Sequence, residues 1–121
     1  MAEIFIAGNV PSSKNGKRWT GKYLIHSKTV MNYIKKTKED WINNKEKFEK
    51  LVKNKEVPYK IEFTFLRNSR RKFDYINPAQ TAQDLMVKYE WIEDDNCEFI
   101  KPSFEDYVYD KENPGVEIRV L

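Results

Sequence analysis

The sequence predicts an α+β domain: a small mixed sheet of about four strands, with one long and one short helix packed on it. Three observations carry that expectation. Tyr59-Lys60-Ile61-Glu62-Phe63-Thr64-Phe65-Leu66 alternates cleanly, as a strand with one buried face does. From Val30 to Val52 the apolar residues instead recur at helical spacing. Strand-like and helix-like stretches then follow one another without repeats, low-complexity tracts or a linker, so residues 1–121 read as a single domain.

Residues 3–8 alternate and then turn polar, as a first strand would. Asn9 to Gly21 reads as a loop, because Pro11-Ser12-Ser13-Lys14-Asn15-Gly16-Lys17-Arg18 combines turn formers with three cations. Lys22-Tyr23-Leu24-Ile25-His26 fits a short strand, and Ser27 is placed to cap the long helix that follows, to about Lys53. Val30, Ile34, Trp41, Phe48 and Leu51-Val52 form its apolar stripe, while Lys35, Lys36, Lys38, Lys45, Lys47 and Lys50 take the other face. Such a stripe is a core-facing surface, and Tyr33 and Trp41 belong to it. Beyond the strand at 59–66, Asn77 is expected to cap a second helix with Pro78 in its first position. Ala79, Ala82, Leu85, Met86 and Tyr89 would form its buried side. Asn77, Gln80 and Asp84 share the opposite, polar edge at cap, i+3 and i+7. Cys97 to Tyr109 contains one interrupted strand, and Gly115 to Leu121 another.

Composition narrows the function classes. The chain of 121 residues carries seven Phe, seven Tyr and three Trp, enough to fill one core. A mean hydropathy of -0.80 and no apolar run near the ~20 residues of a membrane span point to a cytoplasmic protein. Its N-terminus, which has an acid and no basic region, reads as a strand and not as a signal peptide. One cysteine, Cys97, and one histidine, His26, exclude an intrachain disulfide and argue against a zinc finger. The net charge of +3 conceals an asymmetry: residues 1–72 balance to +11 and residues 73–121 to -8. A basic half favours a polyanion as partner, and the acidic half argues against a merely sticky cationic protein.

The most informative stretch runs from Arg70 to Asn96. Arg70-Arg71-Lys72 leads into Phe73-Asp74-Tyr75-Ile76-Asn77-Pro78, then Asp84 on the short helix, then Asp94-Asp95-Asn96. Carboxylates converging beside a cationic strip can hold a hard divalent cation while the positive charges hold a phosphodiester backbone. Each residue also has a plainer role. Asp74, Asp94 and Asp95 can be turn formers, Asp84 a polar-face residue, and Asn77 a helix cap. Arg70, Arg71 and Lys72, like Lys14, Lys17 and Arg18, are phosphate contacts or exposed basic loops. His26 is read as structural.

With these residues the chain resembles the RusA family of Holliday-junction resolvases, small phage-derived endonucleases. Pro11-Ser12-Ser13-Lys14-Asn15, with Ser27 and Tyr33, is similar to the family's Pro-x-Ser-x-Asn loop and the Ser and Tyr after it. The family then reads basic residues, Asp-x-Asp-Asn, a Lys three residues on, an Asp four after that, and a final Asp-Asp. Asp74, Asn77, Asp84 and Asp94-Asp95 fall on this pattern without a gap, whereas Ile76 stands at the second Asp, Gln80 at the Lys, and Phe73 at a basic position. The resemblance implies a RusA-like α+β homodimer using Mg²⁺ to cleave four-way or other branched DNA in recombination and repair. It implies catalytic roles for Asp74, Asp95 and Asp84, metal ligation by Asp74, Asp95 and Asp94, and support from Asn77 and Gln80. DNA contacts fall to Lys14, Asn15, Lys17, Arg18, Arg70, Arg71 and Lys72. Ile76 and Gln80 leave an alternative open: a junction-binding protein of phage or mobile-element origin that has weakened or lost catalysis.

Overall fold

A computed structural model describes residues 3–12, 17–19, 24–26 and 28–121. It shows an α+β domain with a mixed sheet and two helices. In chain order the elements are β1 (Ile4–Ala7), β2 (Lys17–Trp19), β3 (Leu24–His26), α1 (Lys28–Val52), β4 (Tyr59–Arg67), α2 (Ile76–Lys88), β5 (Ile100–Phe104), β6 (Val108–Tyr109) and β7 (Gly115–Val120). Where the sequence suggests about four strands, the described residues form a five-stranded sheet and a separate two-stranded ribbon, β2 with β3. Lys17–Trp19, expected as loop, pairs antiparallel with Leu24–His26. Three residues beside a run of turn formers are too few to show a strand's alternation. The predicted cap Ser27, and Lys14 and Asn15, lie outside the described residues.

In the main sheet β7 lies between β1 and β4 and is antiparallel to both. The far side of β4 is taken by β5 and β6, both parallel to it. That accounts for the interrupted strand expected between Cys97 and Tyr109. One strand breaks at 105–107 and resumes, and the N–H of Glu105 and of Asp110 still donate to β4 carbonyls of Phe63 and Arg67. Strands that run parallel need crossovers, and the two helices lie in them: α1 between β1 and β4, which flank β7, and α2 between the neighbours β4 and β5. Both crossovers step across the sheet in the same direction, so the right-handed rule sends both helices to one face.

That face is the core. Ile4 and Ile6 of β1, Val116, Ile118 and Val120 of β7, and Ile61, Phe63 and Phe65 of β4 alternate inward and are buried. From α1 come Val30, Tyr33, Trp41 and Phe48, and from α2 Ala79, Ala82, Leu85 and Met86. Trp91, just beyond α2, stacks on Phe48 at 5.1 Å, lies 5.2 Å from Trp41, and donates its indole N–H to the Trp41 carbonyl at 2.8 Å. Burying an aromatic of this size stabilises by about 1.5–3 kcal/mol, so Trp91 fixes where the chain goes after α2.

Helix α2 starts earlier than its sequence suggests. Tyr75, not Asn77, is the cap residue, without a side-chain cap bond. The Asp74 carbonyl already accepts from the Asn77 N–H at 3.0 Å, which places Asn77 and Pro78 inside the first turn. Proline is tolerated there because its missing N–H has no intrahelical acceptor. At the other end the Trp91 N–H reaches the Met86 carbonyl and the Glu90 N–H that of Val87. This is a Schellman closure, with Glu90 in the left-handed position at φ 64° where glycine is usual.

Candidate nucleic-acid interface and acidic pair

The turn at Glu90 and the anchor at Trp91 send the chain back along α2, so that Asp95 meets a helix edge fifteen positions earlier. Gln80 Nε2 donates to Asp84 Oδ1 at 2.7 Å and to Asp95 Oδ2 at 3.0 Å. One neutral amide thus holds two carboxylates, one from α2 and one from the returning loop, in a half-buried setting. Asp94 faces solvent, and its oxygens accept from the Asp95 N–H at 2.8 Å and the Asn96 amide at 3.0 Å, which shapes the turn that presents Asp95.

Asp74 is not part of that trio. It lines a cleft of about 560 Å³ with Arg70, Arg71, Lys72, Phe73, Tyr75, Asn77 and Tyr107. Asn77 connects the two regions: it opens the polar edge of α2 on which Gln80 follows one turn later, roughly 4.5 Å along the axis. The cleft wall is built from aromatic packing. Phe73 lies 5.1 Å from Tyr75 and 5.3 Å from Tyr107, and Tyr75 stacks on Phe104 at 5.7 Å. The Tyr75 hydroxyl accepts from the Tyr107 N–H at 3.0 Å. Arg70 lies 4.0 Å over the Tyr109 ring, which orders one member of the basic run against β6.

Arg67, unremarkable in the sequence, organises this region from below. Its guanidinium sits 4.5 Å over Phe73 and donates to the Val10 carbonyl at 2.6 Å. Burial pulls its pKa down from the ordinary arginine value, yet a guanidinium stays charged at neutral pH. Next to Val10, the Pro11 carbonyl accepts from the Thr81 hydroxyl of α2 at 2.7 Å. The root of the basic N-terminal segment is therefore pinned against β4 and α2, and the backbone of Lys17 and Arg18 reappears in β2.

Tyr107 and Tyr109, absent from the expected site, arrive only because β6 pairs with the end of β4. Nothing in their local sequence signals it. Ile76, at the position of the family's second Asp, is 72 % exposed at the start of α2.

Among the described residues no three His, Cys, Asp or Glu side chains group closely enough to hold a metal ion. Asp84 and Asp95 do converge, and Mg²⁺ is commonly held by one or two carboxylates with water and substrate phosphate completing its shell. The donor types of Asp84 and Asp95 suit such an ion, and Asp74 lines the cationic cleft. None of the described helices is long and apolar enough to cross a membrane. No protein-family model and no curated protein matches the chain.

Proposed function

We propose that the chain is a RusA-like endodeoxyribonuclease that acts on four-way or other branched DNA with Mg²⁺, as a homodimer. The observation that carries this reading is the placement of a cationic cleft containing Asp74 at the head of the same helix edge that gathers Gln80, Asp84 and Asp95. Arg70, Arg71 and Lys72 would hold the phosphate backbone by charge and shape, without reading bases. Lys14, Asn15, Lys17 and Arg18 would extend that grip from the segment rooted at Pro11. Asp84 and Asp95 would hold the ion, which when bound offsets charge on the scissile phosphate and lowers the pKa of an attacking water. Asp74, which lines the same cleft as the arginines, would orient the scissile strand. Gln80 keeps the acidic pair together and supplied with a hydrogen-bond donor until an ion takes its place.

A second reading is favoured by that same glutamine: a junction-binding protein in which the amide permanently satisfies the acidic pair and no strand is cut. Nicking and gel-shift assays on the same preparations separate the two. A resolvase nicks a four-way junction with Mg²⁺ and binds it more tightly than linear duplex. Asp74→Asn and Asp95→Asn each abolish cleavage while leaving binding intact or improved, since each removes a charge that repels phosphate. Junction binding without nicking by the unaltered protein selects the second reading, and equal affinity for linear and branched DNA across a salt series removes both.

A further inference from the structure

At the opposite end of α2 from the cleft lies a second concavity of about 490 Å³, lined by Met31, Ile34, Lys35, Lys38, Lys88 and Tyr89. Residues 31, 34, 35 and 38 share one face of α1, and the last turn of α2 with Tyr89 forms the other wall. Met31 is 52 % exposed, and Ile42, one turn beyond Lys38 on the same stripe, is 43 % exposed. Ile34 and Tyr89 form the floor and pack on the core beneath. Every charged residue lining the groove is a lysine. None of the three takes part in an ion pair among the described residues, whereas Lys45, further along α1, is held by Glu49 and Glu90. The groove therefore combines a strip of apolar surface with an unneutralised cationic rim, and ends where the charges become mixed.

We propose that this groove docks an acidic peptide segment of a partner protein, its carboxylates on Lys35, Lys38 and Lys88 and one or two apolar side chains on Met31, Ile34, Tyr89 and Ile42. Charge complementarity selects the partner's sign, and the apolar floor selects a peptide over a nucleic-acid backbone. Phosphate contacts need cations alone, and an exposed Met–Ile strip gains nothing from them. The flexible methionine side chain suits a surface that adapts to different apolar anchors. Asn77 and Lys88 stand at opposite ends of α2, roughly 16 Å apart along its axis, so groove and cleft can be filled together. The inference does not rest on nuclease activity.

The test uses the full chain and a fluorescein-labelled decapeptide of Asp and Glu with two central leucines. An otherwise identical peptide with two alanines is the control. Fluorescence anisotropy is expected to show the leucine peptide binding about ten-fold tighter, from the apolar area that the floor covers. The double substitution Lys35→Glu, Lys38→Glu, at exposed positions, is expected to weaken it by about ten-fold or more through lost attraction and new repulsion. Met31→Ser is expected to weaken the leucine peptide and leave the alanine peptide unchanged. Circular dichroism checks that each variant is folded. Equal binding of the two peptides, or indifference to charge reversal, overturns the proposal. So does a loss of four-way-junction affinity in the lysine variant as large as that from Arg70→Glu, Arg71→Glu, because it assigns the lysines to DNA. If the protein binds no DNA at all, the peptide measurements still decide the matter.

Discussion

Gln80 and Asp95, fifteen positions apart, are joined by a 3.0 Å hydrogen bond from the glutamine amide to the carboxylate. Because the same nitrogen also serves Asp84 at 2.7 Å, the two carboxylate oxygens lie no farther apart than those two bonds laid end to end. Gln80→Leu leaves the acids facing each other without the amide between them. It should destabilise the fold by about 1–3 kcal/mol, the cost of the lost amide bonds. Urea unfolding of the two proteins measures this, and an unchanged midpoint would mean that the amide bonds add nothing to stability. Gln80→Lys, which puts an ammonium between them, should stabilise at neutral pH and, on the proposed reading, alter Mg²⁺ dependence of cleavage.

Ile76→Asp is expected to fold as well as the unaltered chain. The side chain is 72 % exposed, so no partnerless charge is buried. A carboxylate in the first turn of α2 also meets the positive end of the helix, a gain of about 0.3–1 kcal/mol. Thermal melts with and without Mg²⁺ report both effects. Added stabilisation by Mg²⁺ in the variant alone would show that position 76 can reach an ion.

On the proposed reading, Arg70→Ala and Arg71→Ala should weaken DNA binding uniformly across sequences. The slope of log affinity against log salt should fall by about 0.9 for each phosphate that the variant no longer neutralises. Arg70 is pre-ordered over the Tyr109 ring. Tyr109→Leu should therefore lower affinity as well, while the salt slope, which counts charges, stays the same. Fluorescence titrations from low to moderate salt provide both quantities.

Gly115 opens β7 at a point where a side chain has no room. A Cβ there would lie 2.5 Å from the Phe5 ring and 2.6 Å from the Ile6 carbonyl oxygen. The ring could swing, but the paired backbone of β1 cannot move without breaking the sheet. Gly115→Ala should cost about 1–3 kcal/mol in chemical denaturation. The companion Phe5→Ala, Gly115→Ala should recover only the part owed to the ring.

What the sequence alone determined follows from periodicity and charge. The alternation in β4, the apolar stripe of α1 and the inward set on α2 place the layers, since each pattern has one face that must leave water. The polar edge of α2 was legible as well, because i, i+3 and i+4 neighbours follow from helix geometry; Gln80 and Asp84 meet on it. The start of α2 was not, because Asn-Pro mimics a cap where backbone hydrogen bonds to Asp74 and Tyr75 have already begun the helix. Only the tertiary structure decided the rest. The left-handed turn at Glu90 and burial of Trp91 bring Asp95 to Gln80, and β6 pairing with β4 carries Tyr107 into the cleft and Tyr109 under Arg70. These are contacts between distant segments, set by how loops close over a shared core, and no local spacing encodes them. The same closure sets Asp95 on Gln80 beside Asp84, while Asp74 lines the cationic cleft.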